Sequence, residues 1–115
     1  MQSPDAVAAL SALAHNHRLA VFRLLVRAGA DGIPAGEIAR EVDILPNTLS
    51  THLTILAHAG LIQSRREGRS VIYSADFDGM RDLLGFLVAD CCGGRPEICA
   101  PLAEMAQVAE CCPPR

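Results

Sequence analysis

Lysine and tryptophan are both absent from this 115-residue chain, and aromatic residues make up only 3% of it. Half of the residues are hydrophobic, mostly alanine, leucine and valine, so a core has to be built from aliphatic side chains. A chain of this length forms one ordinary domain, and an aliphatic core favours helices packed on helices. Because every cation is an arginine, the positive side chains are of the type that binds phosphate in a bidentate manner.

Long hydrophobic runs are also lacking. No segment approaches the roughly 20 apolar residues that are needed to span a bilayer. The N-terminal sequence Met1-Gln2-Ser3-Pro4-Asp5 does not have the basic segment and apolar run of a signal peptide. We therefore expect a cytoplasmic protein that has no membrane partner.

The formal net charge of −3 is unusual for a protein that binds nucleic acid, but the charges are unevenly distributed. Residues 1–81 contain eight arginines and eight acidic residues, so this part of the chain is balanced. Residues 82–115 contain two arginines and five acidic residues, which accounts for the whole excess. The first 81 residues can therefore still carry a basic surface.

All five cysteines lie in the last quarter of the chain. Disulfides that serve only structure are rare in a reducing compartment, so a cluster of cytosolic thiols indicates metal binding or redox activity. The five residues are Cys91, Cys92, Cys99, Cys111 and Cys112.

The hydrophobic spacing predicts five helices, with a β-hairpin between the fourth and the fifth. Ser3 is expected to cap the first helix, with Pro4 at its first position, and His15 and His17 to cap the second. Glu67-Gly68-Arg69 predicts the tight turn of the hairpin. The predicted helices are Pro4–Ala14, Asn16–Arg27, Ile33–Val42, Pro46–His58 and Phe77–Cys91, and the predicted strands are Leu61–Arg66 and Ser70–Ala75.

This layout is mainly α with a small β-hairpin wing, which is the arrangement of a winged helix-turn-helix. We divide the chain into residues 1–92, which form a DNA-binding and dimerisation domain, and residues 93–115, which form a cysteine-containing tail. A further short helix is predicted in that tail at Pro101–Glu110.

The fourth helix is the predicted recognition helix, and the hairpin beside it is basic. Short polar side chains near the start of such a helix can meet base edges and phosphates in a major groove, and arginines at a hairpin tip suit phosphates or a minor groove. Either group alone could be a solvated surface, but their order in the chain favours DNA binding. The candidate DNA-binding residues are Asn47, Thr48, Ser50, Thr51, His52, Arg65, Arg66 and Arg69. His52 and His58 are interpreted as core or DNA-facing residues rather than metal ligands.

Three segments of the chain form a recognisable set: LAHNHRL from Leu13, NTLSTHLTILAHAGLI from Asn47 and REGRSVIY from Arg66. Together they resemble the ArsR/SmtB family of metal-responsive repressors. The resemblance covers roughly residues 5–90, and its most specific part joins His52-Leu53 and Gly60-Leu61 to the Glu67-Gly68-Arg69 turn. Asn16 and His17 depart from it, because the family commonly has proline and threonine there.

The resemblance implies a homodimer that binds double-stranded operator DNA. The apolar stripes on the first and fifth helices would then pair across a two-fold axis, although the fifth helix could instead pack only on its own chain. Such pairing would hold two recognition helices about one DNA turn, roughly 34 Å, apart. The candidate interface residues are Leu10, Met80, Leu83, Leu84, Leu87 and Val88.

The resemblance also directs attention to the cysteines as the sensor. Many arsenic sensors of this family carry a Cys-x-Cys pair before the recognition helix, and zinc sensors carry histidines on the fifth helix, but neither pattern is present here. Cys91, Cys92 and Cys99 offer three sulfurs without a nearby histidine, which suits a soft ion such as trivalent arsenic or antimony. A similar group occurs in one arsenic-sensing branch of the family. Cys111 and Cys112 are interpreted as auxiliary.

Three other functions remain open. A thiol redox switch of the same fold would need no ion, and a zinc or cadmium sensor would need Cys111 or Cys112 as a fourth ligand. A small thiol enzyme is disfavoured, since no Cys-x-x-Cys motif lies at a strand–helix junction. We therefore expect a non-enzymatic repressor that has arsenite as its inducer and no organic cofactor.

Overall fold

The structure, a computed structural model, describes residues 2–88. The tail of residues 93–115, its predicted helix at Pro101–Glu110 and all five cysteines lie outside the described residues. Within the described part, none of the helices is long and apolar enough to cross a membrane. The helices are α1 (Ser3–Leu13), α2 (Asn16–Ala28), α3 (Ala35–Val42), α4 (Pro46–His58) and α5 (Phe77–Val88), and the strands are β1 (Ile33–Pro34), β2 (Ile62–Glu67) and β3 (Ser70–Ala75).

The strands form an antiparallel sheet in the order β1-β3-β2. Strands β2 and β3 with the turn between them form the wing, in which Glu67 pairs with Ser70 across the two-residue turn of Gly68 and Arg69. Gly68 has a φ of 62°, a backbone conformation that a two-residue hairpin turn favours and that glycine adopts without strain. The predicted mainly helical winged helix-turn-helix is thus confirmed, and β1 adds a third strand to the wing.

Two predicted helix starts are shifted in the structure. Ile33 and Pro34 do not begin the third helix but pair with β3, because the extended backbone of Pro34 can serve as an edge strand and the N-cap of α3 at once. The cap of α1 is Gln2 rather than Ser3, since the Asp5 carboxylate accepts a hydrogen bond of 3.1 Å from the Gln2 backbone N–H.

The core is aliphatic, as the composition predicts. Side chains from α2, α3 and α4 meet there with the residue that precedes β2, so the two helices of the helix-turn-helix are held against α2. The largest fully buried side chains are those of Val21, Leu25, Ile38, Leu49, Leu56 and Leu61.

The start of α5 is docked on the segment that joins α4 to the wing. The Asp76 N–H donates to the Leu61 carbonyl at 2.8 Å, and the Asp76 carboxylate caps α5 by accepting from the Gly79 N–H at 3.1 Å. A Cβ atom at Gly79 would collide with the Gly60 carbonyl oxygen, so only glycine permits this close approach. The position of α5 is therefore fixed relative to the end of the recognition helix.

Candidate nucleic-acid interface

Helix α4 has one apolar face inside the protein and one polar face in solvent. Leu49, Leu53 and Leu56 are buried, as the spacing predicts. Four of the five predicted DNA-binding residues on α4 are exposed. Thr54 extends the same surface because it lies three residues beyond Thr51 and four beyond Ser50. We call this surface the reading face, and its residues are Asn47, Thr48, Ser50, Thr51 and Thr54.

Thr54 was missed by the sequence reasoning although the helical spacing could have found it. Its hydroxyl donates to the Ser50 carbonyl at 3.0 Å, which still leaves the oxygen and the methyl group for a base edge. Leu45 is a second residue that was not predicted to contact DNA. Its side chain lies just before α4, is 71% exposed and can contact a thymine methyl group.

The N-terminus of α4 is suited to a phosphate. Leu45, the N-cap residue, provides no side-chain hydrogen bond, and Pro46 follows it at the start of the helix. The Thr48 N–H donates to the Asn47 side-chain oxygen at 3.1 Å, which leaves the Asn47 amide nitrogen able to donate outward. Backbone N–H groups and the helix dipole at such an end attract anions.

His52, which was predicted as a DNA-binding residue and interpreted as either a core or a DNA-facing side chain, lies on the inner side of α4 and not on the reading face. The ring is buried at 8% exposure and lies against the body of the protein, where a guanidinium nitrogen of Arg18 is 3.4 Å from its Nδ1. Position 52 turns inward because it lies three residues after Leu49 and four before Leu56, which are both buried. His58, by contrast, is exposed at the end of α4.

The inward ring of His52 forms a histidine cluster with His15 and His17. His15 caps α2 as predicted, since its Nδ1 accepts a hydrogen bond of 3.1 Å from the His17 N–H. The ring centroid of His15 is 4.7 Å from that of His52, and that of His17 is 5.7 Å from it. Burial, followed by the neighbouring His15, Arg18 and His17, lowers the pKa of His52 and favours its neutral form.

The three arginines of the wing have different roles. The Arg65 guanidinium is used within the protein: Nε donates to Glu67 at 2.6 Å, and the terminal nitrogens donate to the carbonyl oxygens of Asp31 at 2.6 Å and Ala30 at 3.3 Å. Arg65 was predicted as a DNA-binding residue, and in the structure its donors hold the wing against the segment that follows α2. Arg66 and Arg69 are exposed and remain the candidate phosphate ligands.

The predicted dimer residues divide into two groups. Leu83 is only 4% exposed and Met80 is half-buried, because both pack on the core of their own chain. The other four are exposed by 40% or more, and Val7 on α1, which was missed, is exposed by 64%. We call this surface the apolar face, and its residues are Val7, Leu10, Leu84, Leu87 and Val88.

Removing the exposed wing arginines should weaken DNA binding without regard to sequence. Each of Arg66→Ala and Arg69→Ala should lower the slope of log affinity against log salt by about 0.9, because one phosphate contact and its counterion release are lost. The measurement is a salt titration of binding to operator and to random DNA.

Two control variants make this test specific. Arg81→Ala removes the same charge from α5, where Arg81 pairs with Asp78 at 3.2 Å, and should leave the slope unchanged. Arg65→Ala should lower the melting temperature, since it frees the carbonyls of Ala30 and Asp31. Unchanged slopes for both Arg66→Ala and Arg69→Ala would show that the wing does not contact phosphate.

A polar recognition helix that follows a short helix and turn, beside a wing with exposed arginines, defines a winged-helix DNA-binding protein. A family model described as a helix-turn-helix domain matches residues 13–65. The HTH-type transcriptional regulator YgaV of Escherichia coli (strain K12) is 30% identical over 83 residues, which are 72% of this chain and 82% of YgaV. The chain therefore belongs to the winged helix-turn-helix transcriptional regulators of the ArsR-like type, which are DNA-binding proteins and not enzymes.

Solved structures of winged-helix regulators are also similar to this chain. A homodimeric winged helix-turn-helix DNA-binding domain, Mb0332 from Mycobacterium bovis, described as a possible ArsR-family regulator, is 30% identical with a TM-score of 0.62 and covers 76% of this chain and 80% of its own. An ArsR-like regulator from Rhodococcus sp. RHA1 covers 92% of this chain and 93% of its own at a TM-score of 0.68. Its identity of 22% supports the fold alone.

Proposed function

We propose that this protein is a homodimeric transcriptional repressor that releases its operator when trivalent arsenic, or antimony, binds Cys91, Cys92 and Cys99. The observation that carries the DNA-binding part is the exposed reading face of α4 beside the exposed guanidinium groups of Arg66 and Arg69. A polar helix face can hydrogen-bond base edges in the major groove while the wing arginines contact the backbone. The ion-free form is the one that binds operator and blocks transcription.

The apolar face supports the homodimer. Its side chains are large and exposed and lie on α1 and α5, which contact each other, and exposed apolar patches mark association sites. The similar Mb0332 domain is described as homodimeric. A two-fold contact through α1 and α5 leaves both reading faces available for successive major grooves.

The cysteines support trivalent arsenic as the inducer by their chemistry and number. Cys91 and Cys92 follow α5 closely in sequence, and Cys99 is seven residues further on. Three thiolates satisfy trivalent arsenic or antimony, which leaves a lone pair in the fourth direction, whereas structural zinc usually takes four ligands. Thiolates remain available for this chemistry in the reducing cytoplasm, where we expect the repressor to act.

The cysteines follow α5 in the sequence, and α5 is in contact with the segment that follows the recognition helix. Ion binding at the cysteines can therefore affect the DNA-binding surface through α5. Helix α5 carries three residues of the apolar face. Asp76, just before α5, is hydrogen-bonded to Leu61, and Gly79 in its first turn packs on Gly60, which follows α4. A shift of α5 at the dimer contact would therefore change the spacing of the two recognition helices. Such a ligand shifts the equilibrium only by its different affinity for the two states.

The test is operator binding by the reduced, metal-free protein under strict anaerobic conditions. Stepwise addition of arsenite should release a labelled operator fragment, and antimonite should act in the same way. Release only after admission of oxygen would replace the proposal with the redox switch, and release only by zinc or cadmium would replace it with a divalent-ion sensor. Failure to bind any operator fragment would overturn the DNA-binding part itself.

A further inference from the structure

The histidine cluster joins two parts of the fold that are distant in sequence. His15 and His17 lie at the N-terminus of α2, and His52 lies on the inner side of α4. One ring nitrogen from each of the three lies within 4.8 Å of the others. Among the described residues this is a separate site from the reading face, the wing and the apolar face, and none of their proposed functions uses it.

We propose that His15, His17 and His52 bind one divalent transition-metal ion, such as Zn²⁺, Ni²⁺ or Co²⁺. Neutral imidazole nitrogens suit these ions, and three of them leave a fourth position for water in a tetrahedral arrangement. The site differs in chemistry from the cysteine group, since it offers only nitrogen ligands and should discriminate against trivalent arsenic. It adds to the proposed arsenic response and does not depend on it.

The geometry needs only a small contraction of the cluster. Metal–nitrogen bonds of about 2.0–2.1 Å in a tetrahedral site bring the nitrogens to about 3.3 Å from one another, compared with the present separations of up to 4.8 Å. His15 and His17 are exposed, so their rings can rotate towards the ion. His52 is held in place by burial and provides the fixed ligand.

Two hydrogen bonds of the metal-free cluster would be broken when the ion binds. A guanidinium can only donate, so the contact of Arg18 at 3.4 Å requires a lone pair on the Nδ1 of His52. A neutral ring that is ligated through Nε2 carries its proton on Nδ1, and a ring ligated through Nδ1 has no lone pair left there. In either case the ion displaces Arg18 from His52. The same reasoning applies to His15, whose Nδ1 now accepts the His17 N–H.

An ion in this site would therefore exchange a weak Arg18 contact for direct bonds between α2 and the recognition helix. Arg18 keeps its second anchor, because its Nε donates to the Ala12 carbonyl at 2.6 Å. The positive charge of Arg18 opposes the incoming cation, which sets a moderate rather than a very tight affinity. Bound metal should stabilise the folded protein by mass action and raise its melting temperature.

The experiment uses the full-length chain with all five cysteines replaced by serine, titrated anaerobically with Co²⁺ and followed by visible absorption. We expect one Co²⁺ per chain, with d–d bands but without sulfur-to-metal charge-transfer bands, and displacement of Co²⁺ by Zn²⁺, which binds more tightly. In the same background, His17→Asn should weaken Co²⁺ binding at least about 10-fold, since even outer-shell partners of metal ligands have effects of that size.

Two further variants make the result decisive. His58→Asn changes an exposed histidine at the C-terminus of α4 and should leave Co²⁺ affinity unchanged. His15→Asn preserves the cap of α2, because asparagine is a preferred N-cap residue, and should lose Co²⁺ affinity like His17→Asn while keeping the metal-free melting temperature. Absence of one-to-one binding in the serine background, or equal affinities for His17→Asn and His58→Asn, would overturn the proposal.

Discussion

Replacing any one of Cys91, Cys92 and Cys99 with serine should abolish the release of operator by arsenite. A serine hydroxyl is not a soft ligand, and two sulfurs cannot complete the three-thiolate site that the proposal requires. Operator affinity without arsenite should stay at the wild-type value, because none of the three cysteines belongs to the reading face or the wing. The measurement is an anaerobic operator titration of each variant with and without saturating arsenite.

The auxiliary role of Cys111 and Cys112 gives the matched control. A double Cys111→Ser, Cys112→Ser variant, and a chain truncated after Glu110, should both retain most of the arsenite response. A truncated protein that no longer responds would show that Cys111 or Cys112 is a fourth ligand, which is the ligand number expected for zinc or cadmium. Serine variants of the first three that still respond would remove the proposed ion site altogether.

A charge in the apolar face should convert the protein into monomers that bind operator weakly. Leu84→Glu or Leu87→Glu introduces a carboxylate where an apolar surface is proposed to be buried on dimerisation, and an unpaired buried charge is strongly unfavourable. Two linked half-site contacts exceed one by roughly 10²–10⁴ in affinity, so operator binding should fall by about that factor. Dimer mass is measured by sedimentation, and operator affinity by titration.

Leu19→Glu provides the control for this prediction. Leu19 is 43% exposed, close to the 48% of Leu87, but it lies on α2 and outside the apolar face. The variant should remain dimeric, which would separate a specific effect from the general cost of an added carboxylate. Dimers of unchanged stability for both Leu84→Glu and Leu87→Glu would show that the two chains associate through another surface.

The recognition helix and the wing were predictable because local signals agree with the tertiary structure there. Pro46 and the regular leucine spacing define α4 to the residue, and Gly68 defines the hairpin turn. The start of α3 was not predictable in the same way. Ile33 and Pro34 pair with β3, some forty residues later in the chain, and no local pattern contains that partner.

The sequence did not predict the surroundings of side chains whose partners lie far away in the chain. Arg65 reads as a free cation in sequence, but the carbonyl oxygens of Ala30 and Asp31 lie within its reach only in the folded chain. Leu83 follows the same apolar stripe as Leu84 and Leu87, and only the packing of α5 reveals that it serves the core. Which of several apolar neighbours faces inward depends on the helix's orientation.

The histidine cluster illustrates the same limit for a site. His15 was recognised as a cap from its local sequence, and its bond to the His17 N–H agrees with that. The third member, His52, is 35 residues further along the chain than His17. Its ring joins the cluster because α4 packs across the start of α2, a contact that hydrophobic periodicity does not specify.

The central claim is that arsenite and operator DNA bind to different states of one dimer. Measuring the affinity of the dimer for arsenite, with and without saturating operator, tests it most directly. Linkage requires that operator weaken arsenite binding by the same factor by which arsenite weakens operator binding, and couplings of this kind are typically about 5–150-fold. We expect a reduction of that size in the operator complex, with an equal factor in the reverse titration. Equal arsenite affinities for the free dimer and its operator complex would contradict the account.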